Sequence, residues 1–332
     1  MTNPFQDRYD ACNHGTGQAK WESLADFPRI IDVELTSSCN FRCLMCPTGN
    51  LSLQRPASFM DCKVWTEIID QAREYGTALR FIGWGEPTLH PELIEIIDRA
   101  HRFGLLTHLN TNGSKITLAR ALALVQAGLS SIKFSFQGVD AITYKEMRRT
   151  DFFEGMIAAI DAMKTARGAR RLPWIAASTS VTYESPEWIE TFRRRLEPLV
   201  DQLGIGTTTF DYMDFSAVRL KKHEVGLLMS LKELSSDAKV HPKPCPEVYD
   251  KLSVHADGSV VVCCNDYNGV VELGRVPRDT LQSCWMHPKI EAYRERLARE
   301  DYEAPLCKDC YDYLSLTAGD TNETAEMAGA AD

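Results

Sequence analysis

The chain has 332 residues, 44% of them hydrophobic, a formal net charge of −9 and eleven cysteines. That is enough for one large domain plus a small one, and no apolar run reaches the roughly 20 residues that span a bilayer, so no membrane association is expected. The acidity argues against a nucleic-acid partner, because gripping a phosphate backbone needs clustered Lys and Arg, and the short runs Arg170-Arg171 and Arg193-Arg194-Arg195 read as solvated helix faces.

In chain order, residues 1–27 form an N-terminal segment, and strand-like and helix-like segments then alternate from about 28 to 215. Apolar strands are expected over 29–35, 79–83, 105–110, 131–136, 174–181 and 203–210. Amphipathic helices are expected over 62–75, 91–103, 116–127, 141–148 followed by 153–166, and 186–199. Repeated βα units of this kind build a parallel sheet, here an α/β fold of partial (β/α)6 TIM-like form, two strands short of a closed barrel. Reactive groups gather at the C-terminal ends of such strands, so the loops there carry the argument. Residues 216–244 read as a connecting helix and linker ending at Pro242-Lys-Pro244, 245–314 as a small C-terminal β-hairpin and helix domain, and 315–332 as a disordered Ala-, Gly- and acid-rich tail.

The first strand runs into Cys39, Cys43 and Cys46, spaced C-x3-C-x2-C on one short loop. Three soft thiolates suit an iron–sulfur cubane with one iron left open. Structural zinc is the alternative, but it wants four closed ligands and the loop supplies no fourth. Disulfides are not expected either, since no apolar export signal precedes the domain and the cysteines then belong in reducing cytosol.

A second set lies in the C-terminal region. Leu252-Ser-Val-His-Ala-Asp257-Gly258-Ser-Val-Val-Val-Cys263 alternates around an Asp-Gly turn, which brings Cys263 back beside Cys245. Cys307 and Cys310 complete four converging thiols, which suit a cluster or a zinc ribbon. Cys264 points away from Cys263, and either residue could be the ligand. Cys62 is expected in the core, and Cys12 and Cys284 have little claim to a role.

The cysteine loop and its place after the first strand resemble the radical S-adenosylmethionine (SAM) superfamily, and the second set resembles that superfamily's SPASM and twitch extensions. The resemblance implies a SAM-binding [4Fe–4S] cluster on Cys39, Cys43 and Cys46, SAM itself, and one auxiliary [4Fe–4S] cluster on Cys245, Cys263, Cys307 and Cys310. It carries further residues with it. Gly83-Trp84-Gly85-Glu86-Pro87 resembles the GGEP motif, whose carbonyls receive the SAM amino group, with Trp84 in place of a glycine. Asn110 and Asn112, otherwise a mere turn signal, are implied SAM contacts. Ser135 is similar to the serine that faces the ribose, with Gln137 where an Asp is usual. Arg148 resembles the arginine that pairs with the SAM carboxylate, and Met45 stands where relatives place an aromatic against adenine.

Reductive cleavage of SAM and hydrogen abstraction are the implied chemistry, with a flavodoxin- or ferredoxin-like reductant. A four-thiolate cluster suits electron acceptance, so the leading expectation is an oxidoreductase acting on a small polar, sugar- or aminocyclitol-like substrate, as in butirosin-type dehydrogenases. The short segment before residue 28, too small for a leader-peptide recognition domain, points the same way. An epimerase, with Cys264 as catalytic hydrogen donor, and a maturase of ribosomal peptides are the alternatives. A zinc-stabilised binding module is the non-enzymatic one.

Overall fold

The computed structural model describes residues 2–15, 17–208, 210, 213, 215–234, 245, 247–307 and 310. Two short helices, α1 (Gln6–Cys12) and α2 (Gly17–Glu22), precede the first strand, β1 (Ile30–Val33). Five βα units follow: α3 (Cys62–Tyr75) and β2 (Ala78–Phe81), α4 (Leu93–Arg102) and β3 (Thr107–Thr111), α5 (Leu118–Gln126) and β4 (Ser131–Ser135), α6 (Ala141–Arg148) with α7 (Phe153–Arg167) and β5 (Trp174–Val181), then α8 (Pro186–Leu196) and β6 (Gln202–Thr207). Local chemistry sets the helix ends. Asp61 accepts from the Lys63 amide at 2.8 Å to start α3, Gly76 ends it at φ 62°, and Asp140 with Thr143 forms a reciprocal capping box on α6.

After α9 (Lys222–Leu234) the chain re-enters the same sheet. Helix α10 (Glu247–Asp250) leads into β7 (Lys251–Val254), followed by β8 (Ser259–Val261), β9 (Glu272–Arg275), α11 (Leu281–Trp285) and α12 (Pro288–Ala298). The strand order is β6-β5-β4-β3-β2-β1-β7-β8-β9. β7 lies parallel to β1, Ile30 opposite Lys251 and Val33 opposite Val254, so the parallel run has seven strands where the sequence suggested six. The hairpin is present, closed at Gly258 (φ 86°), whose amide donates to the His255 carbonyl at 2.9 Å. Its first strand extends the large sheet instead of forming a separate one. Alternating Leu252 and Val254 announced a strand, but only the open side of β1 chooses its partner.

One face of the parallel strands packs against the crossover helices in a continuous apolar core that includes Ile31, Val33, Leu79, Phe81, Leu109, Ile132 and Ile175. Alternation turns Asp32, Arg80 and His108 to the other face. There Arg80 holds Asp32 with two bonds, at 2.6 and 2.8 Å, and His108 bridges Ser131 and Asn110. Burial, reinforced by Lys133 and Arg80, lowers the His108 pKa to about 3. Helix α1 closes the base of this face, where Phe5 packs with Ile30 and Ala78.

Cys62, expected in the core, is exposed at the first turn of α3, because the buried stripe of that helix is Val64, Trp65, Ile68, Ile69 and Ala72. Cys12 and Cys284 are buried. Residues 193–195 form exposed ion pairs with Glu190, Glu197 and Glu154, as solvated faces do. The linker end at 235–244 and the tail at 315–332 lie outside the described residues.

Candidate functional site

The loop after β1 is bound on three sides before any ligand is considered. The Thr36 hydroxyl donates to the Ser58 carbonyl at 2.7 Å, Leu44 N–H to the Met147 carbonyl of α6 at 2.9 Å, and Asn112 Nδ2 to Asn40 at 3.0 Å. Cys39, Cys43 and Cys46 thus sit at the mouth formed by the ends of β1, β3 and β4. Their thiols are free and close enough to influence one another's ionisation. Burial pushes Cys39 up to about 11 and Cys46 to about 12, so the metal-free thiols stay protonated at neutral pH.

Two glycines let backbone crowd into this mouth. A Cβ on Gly49 would stand 2.1 Å from the Cys43 carbonyl oxygen, and one on Gly85 only 2.0 Å from that of Thr36. Gly83 is held against Glu34, whose Cγ would lie 2.6 Å from an added Cβ. Glu86 is fully buried and accepts four bonds, from Thr88 N–H, the Thr88 hydroxyl, the Thr111 hydroxyl and Asn112 N–H, at 2.6–3.0 Å. Burial raises its pKa, opposed by those donors. Its carboxylate braces the loops after β2 and β3 against each other, and its own N–H donates to the Ser38 carbonyl at 2.9 Å.

Arg148, in the last turn of α6, crosses the mouth. One terminal nitrogen lies 3.5 Å from Cys43 Sγ, the other donates to the Ser135 carbonyl, and Nε is buried without a partner. Asn112 Nδ2 stands 3.9 Å from Cys39 Sγ. Ser135 and Met45 are half-buried, and Met45 packs with Leu44, Met147 and Phe210. Two expected contacts are engaged elsewhere: Asn110 Oδ1 accepts from His108 Nε2 at 2.7 Å, and buried Gln137 donates to Thr208 at 2.8 Å. Three thiols, an orphaned guanidinium nitrogen and backbone approach at Gly85 fit a cluster bearing an amino-acid ligand.

The second thiol set also assembles. Cys245, Cys263, Cys307 and Cys310 lie within electrostatic reach of one another, and Asn265 Nδ2 stands 3.6 Å from Cys310 Sγ. Burial pushes Cys307 and Cys310 up to about 12. Cys264 turns the other way, toward Glu247, Asp32 and Lys251, with its thiol hydrogen-bonded to the Glu247 carboxylate. Sequence reasoning missed Glu34, Arg55 and Tyr267. Arg55 pairs with buried Glu34 at 2.9 Å and donates to the Tyr267 carbonyl at 2.6 Å. A lone loop arginine carries no sequence signal for such a role.

Two family models match the chain. A model of the Radical SAM superfamily matches residues 33–196, and a SPASM model, described as an iron–sulfur cluster-binding domain, matches 245–311. These domains imply a [4Fe–4S] cluster, SAM and auxiliary iron–sulfur binding. The chain is similar to the PqqA peptide cyclases of Gluconobacter oxydans (36% identical over 117 residues, 35% of this chain and 32% of that one) and Ruegeria pomeroyi (37% over 117 residues, 35% and 31%). It thus spans about a third of the length of these relatives. In fold it is similar to BtrN in complex with AdoMet and 2-DOIA (TM-score 0.54, 20% identity, 85% of this chain and 92% of that one). It is similar also to Streptococcus suis SuiB bound to the precursor peptide SuiA (TM-score 0.65, 14% identity, 83% and 68%). Among the described residues no helix is long and apolar enough to cross a membrane.

Proposed function

We propose that the chain is a radical SAM enzyme with a SPASM domain that takes a hydrogen atom from a side chain of a peptide substrate. The observation that carries this reading is the similarity to peptide cyclases at 36–37% identity, which favours the peptide alternative over the sugar-like substrate expected from spacing alone. When bound, a cluster and SAM supply one electron and a hydrogen-abstracting radical. Cys39, Cys43 and Cys46 would hold the cluster, and Arg148, whose guanidinium lies beside Cys43, would pair with the carboxylate of SAM. Glu86 and Asn112 fix the surrounding loops. A reductant of the flavodoxin or ferredoxin kind would deliver the electron. Cys245, Cys263, Cys307 and Cys310 would hold one auxiliary cluster.

A second reading, oxidation of a small polar substrate, draws on the four-thiol set, which leaves no open ligand position and so suits electron acceptance. BtrN, of like length and fold, was crystallised with 2-DOIA.

The experiment is anaerobic assay of reconstituted enzyme with SAM and dithionite against a short-peptide library and an aminocyclitol panel. Peptides that raise 5'-deoxyadenosine output, and shift in mass, support the first reading. Stimulation by a cyclitol, with a product two mass units lighter, supports the second. A product one unit heavier in D2O, lost in Cys264→Ala, makes the reaction an epimerisation with Cys264 as donor.

A further inference from the structure

The loop after β2 carries a tryptophan where the GGEP pattern has glycine, and the indole turns away from the cysteine mouth. Trp84 Nε1 donates to the Cys264 carbonyl at 3.1 Å, and its ring meets Tyr267 edge-on, centroids 5.5 Å apart. Its backbone stays in the first site: Trp84 N–H donates to Glu34 at 3.1 Å, and its carbonyl accepts from Thr48 at 2.5 Å. One residue therefore touches the loop that follows the first three cysteines and the segment that follows Cys263.

Arg55 makes the same connection from the other side. Its guanidinium forks onto both oxygens of Glu34, at 2.9 Å each, while Nε donates to the Tyr267 carbonyl. Beside it, Gln54 N–H donates to Asn268 at 2.8 Å, and Glu34 accepts from Ala256 N–H at 3.3 Å. Glu34 is buried, at 3% exposure, and a buried charge-assisted pair favours one geometry over its neighbours.

We propose that Arg55 and Trp84 form a latch, two positioning residues that set the auxiliary segment 264–268 at a fixed place against the SAM-binding loops. The latch rests on the reading of both thiol sets as cluster sites. It acts on neither set of ligands directly: it fixes the distance between the two centres and the wall that Cys264 and Trp84 present to a substrate.

The test uses the full chain, reconstituted anaerobically, as wild type, Arg55→Gln, Trp84→Phe and the double variant Glu34→Gln/Arg55→Met, which leaves no uncompensated charge behind. Iron content and SAM-dependent spectral change report the cluster reading, and hydrogen exchange together with EPR of the doubly reduced protein reports the latch. Arg55→Gln and the double variant should keep their iron and their substrate-free SAM cleavage. Exchange in 264–268 should rise about tenfold, as expected when a buried charge-assisted hydrogen bond is lost, and the dipolar broadening between the centres should change. Trp84→Phe, which keeps the ring and loses the N–H, should show a smaller increase. Unchanged exchange and unchanged broadening in the iron-replete variants overturn the latch. Wild-type protein that takes up no iron overturns the cluster reading, and the latch with it. A fall in melting temperature without any EPR change makes Arg55 merely structural and also overturns the proposal.

Discussion

Arg148 lies 3.5 Å from the sulfur of Cys43, although one residue ends a helix and the other sits on a loop more than a hundred positions earlier. The contact sets a cation beside the thiol loop and leaves Nε buried without a partner, a donor in want of an acceptor. Arg148→Lys keeps the charge and loses the fork, so SAM affinity should fall about tenfold while iron content stays constant. Titration of SAM into the reconstituted protein checks this, and an unchanged affinity would remove Arg148 from the binding site.

The two thiol sets should separate by mutation. Replacing Cys39, Cys43 and Cys46 together by Ala should remove about half of the roughly eight irons of two cubanes and all SAM cleavage. Cys307→Ala should lose the other half and still release 5'-deoxyadenosine under dithionite. Loss of the first cluster in Cys307→Ala would show that the cysteines are partitioned wrongly.

Protonation should govern both stability and metal uptake, in opposite senses. The folded metal-free protein holds Cys39 near pKa 11 and Cys46, Cys307 and Cys310 near 12, above the ordinary thiol value of 9.0. A raised pKa means the neutral thiol is favoured in the fold, so that stability is complete below about pH 9 and is lost as pH rises toward 11–12. Iron takes thiolates, so loading releases protons and weakens as pH falls. Melting curves of the metal-free protein from pH 8 to 10.5, set beside iron uptake from pH 6.5 to 8.5, should slope in opposite directions with pH.

Asp32→Asn strips the partner from Arg80 inside the sheet, where their side chains are only 4% and 7% exposed. Leaving one buried charge uncompensated costs about 3–5 kcal/mol, so the melting temperature should drop sharply. Asp32→Asn/Arg80→Met should recover much of that loss. A double variant no better than the single one would show that the pair contributes more than mutual neutralisation.

Much of the fold was legible because its signals are local. Helix α3 spans the predicted 62–75 and β5 the predicted 174–181, since apolar periodicity and caps act within a few residues. The first thiol set was legible for the same reason, three soft ligands on one short loop, whereas Cys245, Cys263 and the pair Cys307 and Cys310 are far apart in sequence and are joined through the hairpin that brings Cys263 back. Other features depend on partners distant in sequence. That β7 pairs with β1, that Cys62 lies outside, that Gln137 is engaged by Thr208, and that Trp84 reaches Cys264 each follow from which surfaces the folded sheet brings together. The sequence by itself determined the elements and the ligand chemistry. Packing of the seventh parallel strand against the first decided how the two cysteine segments face each other, because only in the folded chain do Glu34, Arg55 and Tyr267 come within hydrogen-bonding distance.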